Sequence, residues 1–357
     1  MSPLICSVSV GTIGKQCIKN DKYLYTYRAD VKKSENENSG GIKIPPLGMV
    51  DDVASVALCG VDSVEMNAYL NTKTNLKKLQ FGASKCKKMH VGQNSAHCPD
   101  LYIDKWKLKQ VSNIHCSIND FEDVEDGEIK MESSIKEKYL GMILEKDGSN
   151  KANIQARISR GHAAINEIMM ILEENYFGSY YFEVFSILRQ SLFVNSVLSN
   201  SASWYNWKAH DVQKLLACEA VLMKRGLSTN NKTSHIMMYL ELGWEPISYL
   251  LKSRRLLYLK YILNESNQSL IYNFLRAQWE NPLRGDWIIT VKDDLKELKL
   301  DCYTFDQIRL MSKDKFRSIV NTAVNKAAFQ FLIEKKRLQS KISHTILNTI
   351  HYRCNSI

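Results

Sequence analysis

Two textures divide the chain. Up to about residue 148 the apolar positions come in short runs broken by polar turns; beyond it they recur every three or four residues. In the first stretch, Leu4, Val8, Ile13 and Cys17 fall at roughly helical spacing behind Pro3, which predicts a helix over residues 1–18. Tyr23-Leu24-Tyr25-Thr26-Tyr27 has the aromatic and β-branched content of a strand, and 32–41 is a polar loop. The apolar runs 47–50 and 53–57 flank Asp51-Asp52, a hairpin pattern. Asp62 or Ser63 can cap a helix over 62–79, with Val64, Ala68, Leu76 and Leu79 as its apolar stripe. Strands are expected at 85–91, 101–111 and 139–144, the last closed by the turn Lys146-Asp147-Gly148, with an acidic linker or hairpin at 119–137.

Everything after Gly148 predicts helix. Ile154, Ile158, Ile165, Ile168 and Leu172 share one face, with Arg157 and Arg160 placed off it. Further helices are expected at 180–202, at 211–225 with Gly226 as its stop, from Pro246 to about Leu263, and at 269–280, 286–298 and 312–341. There is no fixed-period repeat. The fold class is α+β, a mixed module followed by an all-helical one.

Composition narrows the setting. The 357 residues suffice for two or three modules, and a hydrophobic fraction of 45% supports packed cores. No apolar run approaches the ~20 residues of a membrane-spanning helix, and the start lacks the charged and apolar regions of a secretory signal. The 9 cysteines are scattered with no CxxC, which fits a reducing, intracellular compartment without separating nucleus from cytoplasm. Residues 1–150 carry 20 Lys+Arg and 20 Asp+Glu, so the remaining 28 and 18 place the whole +10 in residues 151–357. A basic half beside a neutral one suits a polyanion partner, and equally a solubilising surface.

Two carboxylates on one tight bend can hold hard divalent cations. Among 18 aspartates there are two adjacent pairs, and Asp293-Asp294 falls in a helical pattern as an expected solvated face. The setting of the other pair is different. Pro45-Pro46-Leu47-Gly48-Met49-Val50-Asp51-Asp52-Val53 resembles the xxDD hairpin of reverse transcriptases from non-long-terminal-repeat, LINE-like retrotransposons. More of that pattern follows in order: Asn67-Ala68, then Lys77, Leu79 and Phe81, then Lys85-Cys86 with Lys88-Met89-His90-Val91-Gly92, then Lys138-Tyr139-Leu140-Gly141 and Asp147-Gly148. Pro3-Leu4-Ile5-Cys6-Ser7-Val8 is similar to the end of the template-binding segment, and Tyr239-Leu240-Glu241-Leu242-Gly243 with Pro246 to downstream segments, so the likeness spans residues 3 to about 280.

The resemblance implies a partial polymerase palm (β-hairpin, helix, short strands) in 1–148, thumb-like helices in 149–205 and a basic helical C-terminal module in 206–357. It implies RNA-directed DNA synthesis, with Asp51 and Asp52 binding Mg²⁺ (or Mn²⁺), Lys85 as the acid that protonates leaving pyrophosphate, and Tyr139, Leu140 and Gly141 as a primer grip. RNA template and DNA primer are the implied partners, with no membrane. The family's fingers and its first metal-binding aspartate precede the template-binding segment, and no residue here matches that aspartate. A missing N-terminal portion would supply them, and without it the chain is expected to be inactive alone. The alternative is a non-enzymatic remnant, or a domesticated helical nucleic-acid-binding protein.

Other candidates are weaker. Lys85 also suits a surface lysine blunting an edge strand, and Lys87 and Lys88 lie within a register error of it. Cys86-x₃-His90, His97-Cys98 and His115-Cys116 offer soft ligands, but their irregular spacing favours buried cysteines and ordinary histidines over zinc. Residues 307–341 hold nine Lys/Arg against Asp314 and Glu334, with Lys335, Lys336 and Arg337 in a row. That run fits phosphate contact or the solvated back of a core helix. Arg157 and Arg160 could meet the phosphates of a template–primer duplex. Tyr176-Phe177, Tyr180-Tyr181-Phe182 and Trp204-Tyr205-Trp207 are expected in the core rather than as base-stacking platforms.

Overall fold

The computed structural model describes residues 25–27, 42–44, 47–49, 52–54, 64, 66–72, 86–89, 101–104, 128–139, 142–204, 209–230 and 232–354. The expected helix at 1–18 lies outside them. The class is α+β: short strands precede a long series of helices. The chain divides into two compact units, Met1–Glu137 with Glu145–Gly148, and Lys138–Leu144 with Ser149–Ile357.

In the first unit, each described sheet has two strands. β1 (Tyr25–Tyr27) pairs antiparallel with β2 (Ile42–Ile44) across the polar loop. β3 (Leu47–Met49) and β4 (Asp52–Ala54) form the hairpin expected around the aspartate pair, in the register Leu47↔Ala54, Gly48↔Val53, Met49↔Asp52. Helix α1 (66–72) buries Met66 and Leu70. β5 (Lys87–Lys88) runs parallel to β8 (Glu132–Ser133), and β6 (Tyr102–Asp104) antiparallel to β7 (Glu128–Lys130). The acidic stretch expected as a linker or hairpin therefore supplies two strands that pair with earlier ones.

Where one strand was expected at 139–144 there are two, β9 (Lys136–Tyr139) and β10 (Met142–Glu145), paired with each other. The turn after β10 is as expected: the Gly148 amide donates to the Glu145 carbonyl at 2.9 Å, with Gly148 at φ 65°, open to glycine without strain.

The second unit begins by joining β10 to a helix. The Asn153 side-chain amide donates to the Ile143 carbonyl and its oxygen accepts from the Ile143 amide, both at 2.7 Å, imitating a strand partner. Asn153 lies in α2 (Lys151–Glu174), whose inner face carries Ile154, Gly161, Ala164, Ile165 and Ile168. A 3₁₀ turn, Gly178–Tyr180, leads into α3 (Tyr181–Leu188), which continues through a π-helical segment, Arg189–Val194, to Val197. Then come α4 (Ala209–Gly226), α5 (His235–Leu242), α6 (Ile247–Leu263), α7 (Leu270–Glu280), α8 (Trp287–Glu297), α9 (Phe305–Leu310) and α10 (Lys313–Cys354). α5 and α9 were not expected. α5 is short and stops at Gly243, φ 63°; α9 is a single capped turn and a half, closed by a Thr304–Gln307 capping box.

Two apolar cores fill this unit. The first joins α2, α3, α4 and α5 around Phe185, Phe193, Trp204, Leu222 and Met223. Its packing leaves no room for side chains at two glycines. A Cβ on Gly161 would sit 2.8 Å from Val197 Cγ2, and one on Gly226 2.1 Å from the Phe185 ring. The second core joins α6 to α10 around Leu256, Ile288, Val291, Phe316 and Val320. α10 crosses both. Its buried residues recur every fourth position, Phe316, Val320, Val324, Ala328 and Leu332, and the last belongs to the first core.

Each core contains a buried ion pair. Arg189 Nε and Nη2 donate to Glu219 Oε1 at 3.0 and 2.5 Å. Glu219 Oε2 accepts from the Tyr239 hydroxyl at 2.5 Å and the Ile247 amide at 2.9 Å. In the second core, Arg255 grips both oxygens of Asp294, at 2.6 and 2.8 Å. Asp293-Asp294 is thus not a solvated face: Asp293 is exposed, but Asp294 is buried. Breaking either pair strands a desolvated charge. Glu219→Ala and Asp294→Ala are each expected to cost about 3–5 kcal/mol in urea denaturation, while Asp293→Ala stays within about 0.5 kcal/mol of the parent.

Candidate functional site

Of the residues implicated by the family resemblance, Asp51, Asp52 and Lys85 fall in the first unit, and Tyr139, Leu140 and Gly141 in the second. The pairing of Met49 with Asp52 leaves two residues, 50 and 51, to connect β3 and β4. Asp52 opens β4; Asp51 itself, and the side chains of both, lie outside the described residues. Lys85 also lies outside them. The next lysines form β5: Lys87 makes an ion pair with Glu132 on β8, which holds the Glu132 carboxyl below its usual range through that hydrogen bond and charge. Lys88 is buried. Tyr139 ends β9, while Leu140 and Gly141 fall between β9 and β10, outside the described residues.

The candidate cations of the second unit separate by burial. Arg157 is 3% exposed and lies on the inner face of α2, one turn from Ile154 and Gly161, not off that face as expected. Burial, then the neighbouring Arg160 charge, lowers its guanidinium pKa. Arg160 is exposed. In the basic run of α9 and α10, Arg309 donates to the Tyr272 hydroxyl at 2.9 Å and lies 4.8 Å over that ring. Lys260, beneath it, donates to the Ile308 and Arg309 carbonyls at 2.9 and 2.7 Å and so caps α9. The remaining described cations of the run are exposed, Lys335, Lys336 and Arg337 among them, with Lys335 Nζ 5.7 Å from the Phe331 ring centre.

The aromatic clusters divide as well. Trp204 is fully buried, as expected, but Tyr176, Tyr180 and Phe182 are exposed. Sequence patterning missed the polar core around Glu219. Its one legible signal was a lone glutamate on the apolar face of α4, between Cys218 and Ala220. Trp244 closes that core: the Arg189 guanidinium lies 4.5 Å over its ring, and its indole donates to Ser186 Oγ at 2.9 Å.

No group of three or more His, Cys, Asp or Glu arranged for a metal occurs among the described residues. Burial pushes the Cys86 thiol up, away from the thiolate that zinc binding needs. No helix among the described residues is long and apolar enough to cross a membrane. What the described residues offer is Asp52 at the head of a hairpin strand in one unit and solvent-facing cations on α2 and α10 in the other. Comparison with family models, with curated proteins and with solved structures gives no match for the chain.

The buried hydroxyl of this core sets a pH limit. Desolvation first, and the Glu219 charge next, hold Tyr239 well above the usual tyrosine pKa. A raised folded-state value contributes stability below the unfolded pKa of about 10 that is lost as pH climbs toward the folded value. Stability is therefore expected to fall above about pH 10, and less steeply in Tyr239→Phe, as read from denaturation midpoints across the alkaline range. An identical slope in the two proteins would contradict this.

Proposed function

We propose that the chain is the polymerase-derived part of a retrotransposon-type reverse transcriptase, a nucleotidyl transferase working with two divalent metals. Asp51 and Asp52 would hold Mg²⁺ (or Mn²⁺), and Lys85 would supply the proton for pyrophosphate. Tyr139, Leu140 and Gly141 would steady the primer, and the helical unit would hold template and primer by their phosphates. The observation that carries this reading is the β3–β4 register, in which Asp52 opens β4 opposite Met49, the last residue of β3. Support comes also from the order of elements: hairpin, helix, short strands, the β9–β10 pair, and then helices alone. On this reading the first unit is a partial palm, followed by thumb-like helices.

A second reading rests on a separate observation. The excess charge of residues 151–357 is carried in large part by exposed side chains of the helical unit, which suits a non-enzymatic protein that binds nucleic-acid backbone. The two readings part at the metal. On the polymerase reading the full chain binds Mn²⁺ weakly, and Asp51→Ala reduces that affinity in a paramagnetic-resonance titration. An unchanged titration would leave the second reading in front. Two-metal transfer needs both ions fixed together, and the resemblance offers no residue here for the first aspartate. The chain alone is therefore expected not to extend a primer on an RNA template. Robust incorporation, abolished by Asp51→Asn, would show that another residue takes that place.

A further inference from the structure

The bend between α2 and α3 runs against the character of its unit. Residues 161–188 contain four glutamates and no lysine or arginine, within a half of the chain that carries +10. Three of the glutamates, Glu173, Glu174 and Glu183, are exposed and frame the exposed aromatics of the bend. Tyr176 is 97% exposed, Tyr180 67% and Phe182 56%. The bend has a defined shape. The Tyr176 ring lies over Gly178, which has φ 53°; Phe182 packs edge-on to Tyr181 at 5.4 Å; and the Tyr181 hydroxyl donates to the Gly226 carbonyl at 2.8 Å. Burial first, and the Glu173 charge next, raise the Tyr181 hydroxyl pKa. Arg225, on the neighbouring α4, is turned to Asn166 at 2.6 Å.

Exposed aromatics could also stack nucleic-acid bases, but the known platforms for that set them in a positive groove. Here exposed glutamates flank them along the chain and would repel a polyanion. The chemistry they fit is a basic segment with apolar side chains: cations over tyrosine faces and against carboxylates, aliphatics against Phe182.

α10 presents such a segment. The side of α10 turned from its buried stripe carries Lys326, Phe329, Ile333 and Arg337, spaced three, four and four residues apart, which aligns them along the helix, and Lys336 stands exposed beside Arg337, one turn beyond Leu332. All are exposed, Phe329 by 59% and Ile333 by 46% although both are apolar. Spacing of this kind is how an amphipathic helix meets a docking surface.

We propose that the outward stripe of α10 in one copy of the chain docks on the aromatic, acidic α2–α3 bend of a second copy. The contact is heterologous, so it leaves one bend and one α10 stripe unfilled in each pair and propagates with concentration unless a ring closes.

Sedimentation equilibrium of the full chain tests this. The weight-average mass should rise with protein concentration and fall back toward the monomer as salt screens the charges. Glu173→Lys/Glu174→Lys and, separately, Lys336→Glu/Arg337→Glu should each weaken association by about tenfold or more. Mixing the two variants, or combining all four changes in one chain, should restore it. The substituted side chains are exposed, and circular dichroism confirms that each variant is folded before it is compared. A monomer at every concentration, or association that neither reversal weakens, would overturn the proposal. So would loss of single-stranded RNA binding in Tyr176→Ala/Phe182→Ala with association unchanged, which would make the bend a stacking platform.

Discussion

Arg189 and Glu219 share a site from which water is excluded, and there either charge without the other would cost several kcal/mol. The rest of the helical unit conforms to that requirement. The guanidinium sits on the π-helical segment after α3, the carboxylate on α4, the Tyr239 hydroxyl on α5 and the Ile247 amide at the start of α6, so one carboxylate ties four elements. The second nitrogen of the guanidinium also reaches the Glu245 carbonyl at 2.7 Å, just before α6. Trp244 roofs the pair, and Phe185, against Trp244 at 4.9 Å, needs Gly226 to have no side chain. The apolar core supplies most of the burial; the ion pair selects the one arrangement in which its charges are matched.

Arg255 and Asp294 do the same for the second core, and α6 and α10 run through both, so the two cores are built as one stack. Burial thereby sorts the cations of a basic chain. Arg157, Arg189, Arg255 and Lys260 are inside. Arg160, Lys335, Lys336 and Arg337 are outside. The charge that this unit presents to solvent is therefore smaller than its formal charge.

Sequence legibility followed periodicity. α4, α6, α7 and α8 fall within a few residues of their expected spans, because a three-to-four-residue repeat with a glycine or proline near its end leaves few alternatives. The β3–β4 hairpin was legible for a similar reason, two apolar runs with acids between them. Errors arose where charge was given more weight than position. Arg157 is three residues from Ile154 and four from Gly161, which puts it on the buried face whatever its charge. Asp294 sits between Val291 and Leu295 on the inner face of α8 and is buried because Arg255 stands opposite, a partner 39 residues away that no local pattern shows. The exposed aromatics of the α2–α3 bend invert the usual preference for burial, and only the glutamates around them hinted at it. The strand expected at 139–144 runs from the end of β9 into β10, since a short apolar run does not mark where one strand gives way to the next.

The central proposal is that the exposed cations of the helical unit would hold nucleic-acid backbone while the buried ones hold the fold. Its most direct measurement is the affinity of the full chain for a DNA duplex of arbitrary sequence as a function of salt. Phosphate contact releases counterions, so log affinity should fall linearly with log salt, by about 0.9 per phosphate engaged. Arg160→Glu with Lys335→Glu should flatten that slope by about one to two units and leave the fold intact. Arg157→Glu should instead unfold the first core. Absence of salt-sensitive binding at low ionic strength would contradict the claim and make the basic surface a solubilising one.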